Sequence, residues 1–271
     1  MVKKSKIIIT IFSLIFFCNQ IAFCDVITGQ VNQNETLKKK NKVVDSYTQK
    51  PVTGAAISIP SIGYRTTSGS DGTFELNTQI NQTAILSVQK DGYRPFSLTI
   101  DDNIASKPLK LGIEKSKMGD VTIESDVCHL GDDVYSETSA NSSEFKGKSV
   151  GSYYSKKFST KILRPNEEAV IVIGSVIGLD TKMAKELGQN QIAYVYSSPA
   201  EVFFNGNKVG ELNINGDNQE ILIPRQLVRE NNELTIKTGR NLFQHAYVDY
   251  DDIEIAGVRF EIKDKNSFAY K

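Results

Sequence analysis

Three features of the sequence predict an all-β fold of two β-sandwich domains. Short apolar–polar alternations recur from Val43 to Ile262, set off by turn residues at close intervals. Helical signals are confined to a turn or two at 180–188 and one turn at 225–228. A short charged stretch, 114–120 (EKSKMGD), separates two textures of strand.

The chain opens with a basic head, Lys3, Lys4 and Lys6, an apolar run from Ile7 to Phe17, and the end Ala22-Phe23-Cys24. This order predicts a secretory signal peptide over 1–24, cleaved after Cys24, because the run falls short of the roughly 20 residues that cross a bilayer. Lipidation at Cys24 or Cys18 is the alternative; Phe precedes both, where that processing wants a small residue. The expected location is secreted, periplasmic or cell-surface. Plentiful Lys, Asn and Ile without Trp suit an AT-rich bacterial genome. Residues 25–42 are polar, carry Lys38-Lys39-Lys40, and read as a flexible leader.

The whole chain has 271 residues, with 32 basic and 32 acidic side chains. Losing the three lysines of the signal peptide leaves 29 basic against 32 acidic side chains, which excludes an electrostatic footprint for nucleic acid. No second apolar run is long enough to span a membrane, so a soluble or peripherally attached protein is expected. Only Cys128 remains outside the signal peptide, so the fold is expected to rest on packing rather than on a disulfide.

The first domain is expected over 43–113. Val43-Val44 leads into a turn at 45–51, Ala56 to Ile59 alternates, and Tyr64 to Thr67 is a strand. Ser70-Asp71-Gly72 turns, Phe74 to Leu76 and Ala84 to Val88 alternate, and Tyr93 to Ile100 returns after Asp91-Gly92. Val43-x-Asp45, a polar turn, Pro51-Val52-x-Gly54-Ala55, then Thr67 through Asp71-Gly72-x-Phe74, then Val88-x-Lys90-x-Gly92-Tyr93 resembles the carboxypeptidase regulatory-like domain. That resemblance implies a prealbumin-like (Ig-like) sandwich serving as a spacer or interaction module. In those carboxypeptidases a separate zinc domain does the catalysis, and the two histidines here, His129 and His245, lie in no zinc-protease motif.

The second domain is expected over 121–264, with a tail at 265–271. Val121 starts an alternating strand, 147–158 contains Tyr153-Tyr154, and Ala169 to Val176 is a strongly apolar strand. Residues 180–188 read as a short helix with Asp180 as N-cap, Gly188 as terminator, and Met183, Ala184 and Leu187 on one face. Ile192 to Tyr196 is a further strand. Asn205-Gly206 marks a hairpin. Strands at 220–224 and 231–237 follow, and Asp249-Tyr250-Asp251-Asp252 runs into an alternating last strand with a break, read as a bulge, at Ala256-Gly257.

His129-Leu130-Gly131-Asp132-Asp133, Val202-Phe203-Phe204-Asn205-Gly206, Ile223-Pro224, 231–236 and Asp251 to Ile255 together resemble the galactose-binding-like jelly roll of secreted carbohydrate-binding modules. The resemblance implies that first and last strands pair. It also implies that Asp132, Asp133, Asp249, Asp251 and Asp252 converge, where such modules often hold a structural calcium. Clustered carboxylates suit calcium, which takes six to eight oxygens, although acids at turns also simply cap local N–H groups. His129 and His245 beside acids would suit zinc were the fold to join them.

Sugar rings stack on aromatic faces and need polar partners for their hydroxyls. The expected glycan-binding set is Tyr154 with Arg240, Asn241, Gln244, His245 and Tyr247 in the loop before the last strand. No nucleophile elbow, phosphate loop or marked carboxylate pair is present, so a non-catalytic binding protein is expected, with an adhesive envelope protein as the alternative and a hydrolase after it. Its partner would be a glycan or another cell-envelope component.

Overall fold

The computed structural model describes residues 40–141, 143–190 and 195–265. The signal peptide, most of the leader and tail, and most of the strand expected at 192–196 lie outside the described residues. The described residues form one compact unit.

The fold is all-β. The first sandwich is built from β1 (Asn41–Asp45), β2 (Ala56–Ile59), β3 (Tyr64–Thr67), β4 (Thr73–Phe74), β5 (Ala84–Gln89), β6 (Phe96–Ile100) and β7 (Lys110–Ile113), with one helical turn, α1 (Asp102–Ala105), before β7. One sheet runs β4-β1-β7, with β1 and β7 parallel; the other runs β3-β2-β5-β6. The alternation predicted for 84–88 is lost in β5, which is buried from Ala84 to Val88. One face packs the first core. The other reaches toward the second sandwich, where Ile85 packs with Phe145, Ile177 and Ala256.

The second sandwich holds β8 (Val121–Glu124), β9 (Cys128–Leu130), β10 (Tyr153–Ser159), β11 (Glu167–Ile177), α2 (Lys182–Glu186), β12 (Ala200–Phe204), β13 (Asn207–Leu212), β14 (Gly216–Ile223), β15 (Asn231–Lys237), β16 (Ile253–Ala256) and β17 (Val258–Asp264). One sheet runs β10-β15-β12-β13. The other runs β8-β17-β11-β16-β9, with β14 also on β11. The apolar run 169–176 therefore lies in β11, flanked on both edges and buried along most of its length. Phe204 and Phe260 meet between the two sheets with ring centroids 6.2 Å apart. Burying each such side chain contributes about 2–3 kcal/mol.

The first and last strands, β8 and β17, pair, Val121 with Phe260 and Thr122 with Arg259, and beside them β9 pairs with β16, Leu130 with Ile253 and Cys128 with Ile255. The hairpin forms at Asn205-Gly206, both with positive φ (51° and 78°), as a two-residue turn between β12 and β13 requires. Two details of the expected helix change. Thr181 is the N-cap, its hydroxyl accepting from the Ala184 N–H, while Asp180 is buried one residue earlier. Only Ala184 of the expected face is buried; Met183 and Leu187 remain about half exposed (49% and 60%). A helix of five residues is too short to present a continuous stripe.

The break at Ala256-Gly257 does not shift the pairing with β11, although the register of β17 with β8 shifts between Val258 and Arg259. Ala256 pairs with Ser175 and Arg259 with Val172, so Gly257 lies opposite Gly174 in unbroken register. A Cβ on Gly174 would stand 2.5 Å from Ser97 Oγ and 2.9 Å from the Ala256 carbonyl. A Cβ on Gly257 would stand 3.0 Å from the same hydroxyl, and its φ is +63°. The two glycines form a notch that admits the Pro95–Ser97 corner of the first sandwich, the close backbone approach for which glycine suits a strand.

The two sandwiches are further tied by polar contacts. Asp217 Oδ1 accepts from the Thr99 N–H (2.9 Å), the Thr99 hydroxyl (2.8 Å) and the Ser175 hydroxyl (2.6 Å). The buried Arg94 guanidinium meets Glu114 (2.7 Å), Asp120 (2.7 Å) and Glu261 (3.1 Å). The charged stretch 114–120 is thus bound at both ends to Arg94, and the two sandwiches pack as parts of one unit.

Candidate functional site

The outer face of the sheet β10-β15-β12-β13 carries a groove of about 960 Å³. That is at the upper end of the roughly 300–1,000 Å³ typical of ligand sites. Alternation decides which side chains reach it. In β15, Leu234 and Ile236 turn into the core, so Glu233, Thr235 and Lys237 face outward. In β10, Tyr154 turns inward and Tyr153 and Ser155 outward. In β12, Val202 and Phe204 are buried while Glu201 lines the groove. The register sets Tyr153 beside Lys237 and Lys237 beside Glu201, with Ser155, Thr235 and Phe203 in the next row. The Lys237 ammonium lies 4.6 Å from the centre of the Phe203 ring. One end is closed by Arg240, Leu242, Val248 and Tyr250.

Arg240 therefore belongs to the groove. Tyr154 does not: it is 4% exposed, its hydroxyl faces Glu124 Oε2 at 3.4 Å, and burial pushes its phenol up. The tyrosine available to a ligand is Tyr153, at 62% exposure. Asn241 is buried and structural, donating to the Thr138 carbonyl (3.0 Å) and to Asp249 Oδ2 (2.9 Å). Gln244, His245 and Tyr247 lie on the same loop, half-buried or exposed, but do not line the groove. Glu201, Glu233, Thr235 and Lys237 were not singled out from sequence, although the alternation of 231–237 was the available signal.

At the end where β9 meets β16, the five predicted aspartates each accept from nearby hydrogen-bond donors. Asp132 accepts from the Tyr250 N–H (2.9 Å) and the Val134 N–H (3.2 Å); burial, then Asp252 and Asp249, push its carboxyl up. Asp133 accepts from the Ser149 N–H at 3.1 Å. Asp249 accepts from Ser139 Oγ (2.7 Å), the Ala140 N–H (3.2 Å) and Asn241. Asp251 Oδ2 accepts from the Asp180 N–H (3.1 Å) and the Ser197 hydroxyl. Asp252 Oδ1 is held by His129 Nε2 (2.8 Å) and the Asp133 N–H (3.1 Å).

This donor set does not fit calcium as expected. Calcium takes six to eight oxygens at 2.3–2.6 Å, and N–H and O–H groups already occupy most of these. Asp251 Oδ1 and Asp252 Oδ2 alone among the five residues' carboxylate oxygens are buried without a hydrogen-bond partner. Burial, followed by the neighbouring Asp180, pushes the Asp251 carboxyl well above the usual carboxylate range.

Zinc fares no better. His129, Asp133 and Asp252 each offer an atom within 4.8 Å of the others. However, His129 Nδ1 lies 2.5 Å from the Gly147 carbonyl, which only accepts, and Nε2 faces Asp252. Both ring nitrogens hold protons when the ring is charged, leaving no lone pair for a metal. His129 is buried, whereas His245 is exposed.

No family model and no curated protein matches the chain. Among solved structures, it is similar to wild-type BuGH86 in complex with neoagarooctaose, at 13% identity and a TM-score of 0.25 over 80% of this chain. A variant of BuGH86 in complex with the same ligand is similar at 12% identity and a TM-score of 0.25 over 82% of this chain. The chain spans 29% of the length of each. A likeness at that score carries no argument about ligand or activity. Among the described residues no helix is long and apolar enough to cross a membrane.

Proposed function

We propose that this protein is an exported, non-catalytic glycan-binding protein whose second sandwich, resembling a galactose-binding-like jelly roll, holds the ligand. The first sandwich, resembling a carboxypeptidase regulatory-like domain, braces it. The groove on the outer face of β10-β15-β12-β13 carries this reading. It joins the exposed ring of Tyr153 to a floor of hydroxyl and charged groups from Ser155, Thr235, Lys237 and Arg240. A pyranose needs this pairing of apolar face and polar partners.

Binding without turnover is supported by both carboxylates of the groove being already engaged, Glu201 by the Lys208 ammonium at 2.6 Å and Glu233 by the Ser155 hydroxyl at 2.7 Å. A glycan array probed with the purified chain tests the reading: retention on at least one glycan, lost in Tyr153→Ala, is expected. Binding to no glycan overturns it.

A second reading, a protein-contact surface, is favoured by Leu242, Phe243, Tyr247 and Val248, all about half exposed on one loop. It predicts that replacing Phe243 and Tyr247 by Ser leaves glycan retention intact while abolishing adhesion to envelope protein.

A further inference from the structure

We infer that the ligand of the groove is an anionic saccharide, carrying a carboxylate or a sulfate ester on the ring. This rests on reading the groove as a glycan surface, and adds the class of glycan. The argument is which charges on that face already have partners. Glu201 is held by Lys208 Nζ at 2.6 Å, and the same ammonium holds Glu211 at 2.7 Å. Glu233 accepts from the Ser155 hydroxyl at 2.7 Å.

The cations are placed differently. Among the described residues, neither Lys237 nor Arg240 has a carboxylate within 4.0 Å. Lys237 rests on the Phe203 ring, which orients the ammonium without neutralising it. The Arg240 backbone is fixed, its carbonyl accepting from the Ser198 N–H at 2.9 Å and its N–H donating to Ser198 Oγ at 3.2 Å. The guanidinium therefore springs from a rigid point at the end of the groove.

The two cations lie three residues apart, beside the rings of Tyr153 and Tyr250. A planar guanidinium fork matches the paired oxygens of a carboxylate or sulfate, and an ammonium adds a point charge. A ring stacked on Tyr153 would thus bring an anionic substituent to Lys237 and Arg240.

Calorimetric titration of the full chain with three oligosaccharides of equal length tests this: an oligogalacturonate, a sulfated galactan fragment and its neutral desulfated counterpart. Binding of at least one anionic arm about tenfold tighter than the neutral arm, weakened by added salt, is expected. The arm that binds identifies the group as uronate or sulfate. Lys237→Gln combined with Arg240→Gln should remove that preference while leaving the melting midpoint in place. Equal binding of neutral and anionic arms overturns the inference and leaves the glycan reading standing. Absence of binding in every arm, together with an empty glycan array, overturns both.

Discussion

At the scale of single residues, His129 is the most consequential side chain outside the groove. Burial works against its charged form, but the hydrogen bonds to Asp252 and the Gly147 carbonyl, with the charges of Asp252 and Asp133, raise its pKa on balance. Its contribution to stability is then fully present below its unfolded value near ~6.5 and is lost as pH rises through the folded value. Glu254 acts in the same direction: burial pushes its carboxyl up to about 7, so it disfavours the fold as pH rises from the ordinary carboxylate range to that value. The protein is therefore expected to lose stability between about pH 5 and 8, measured by chemical denaturation at stepped pH. His129→Gln should flatten the upper part of that slope and cost about 3 kcal/mol at pH 5, because it strands the buried Asp252. A flat profile in the native protein would sink the account. The same hydrogen bonds predict that millimolar calcium leaves the melting midpoint unchanged, since the predicted carboxylates already serve loop N–H and O–H groups.

At the scale of elements, strands were legible wherever one face is buried and the other is not. Gly174→Ala offers a test of how β11 receives the first sandwich: its Cβ would press on Ser97 Oγ and the Ala256 carbonyl, with an expected cost of about 1–3 kcal/mol in denaturant unfolding. An unchanged midpoint would mean the notch is loose. Sequence alone marks the break at Ala256-Gly257, but its reason lies in Gly174 and Pro95–Ser97, far away in the chain. The Asn205-Gly206 hairpin was readable because its backbone demand is local. Tyr153-Tyr154 was not, because two adjacent aromatics satisfy either phase of an alternation; only pairing with β15 decides that Tyr153 faces out. The aspartates were readable as a cluster, but the N–H groups they accept from were not, because those partners come from loops that meet only in three dimensions.

At the scale of the molecule, the charged stretch 114–120 looks like a linker in sequence and acts as a clasp in the structure. Arg94 binds Glu114 and Asp120 at its two ends and Glu261 in the last strand, and Asp217 bonds Thr99 across the same boundary. Sandwiches joined only by a tether would melt separately, whereas these share buried charge, the glycine notch and an apolar patch around Ile85 and Phe145. One calorimetric transition is therefore expected, with calorimetric and van't Hoff enthalpies equal. Arg94→Met leaves the buried Asp120 carboxylate without its cation, an imbalance worth about 3–5 kcal/mol, while Glu261 keeps its pairing with Arg259 at 2.6 Å. Because that loss falls on the boundary rather than on either core, the variant should show two separated transitions. A single transition lowered in temperature would mean that the apolar patch and the notch suffice to couple the sandwiches. Two transitions in the unaltered protein would mean that the groove is carried by a module that folds without its neighbour.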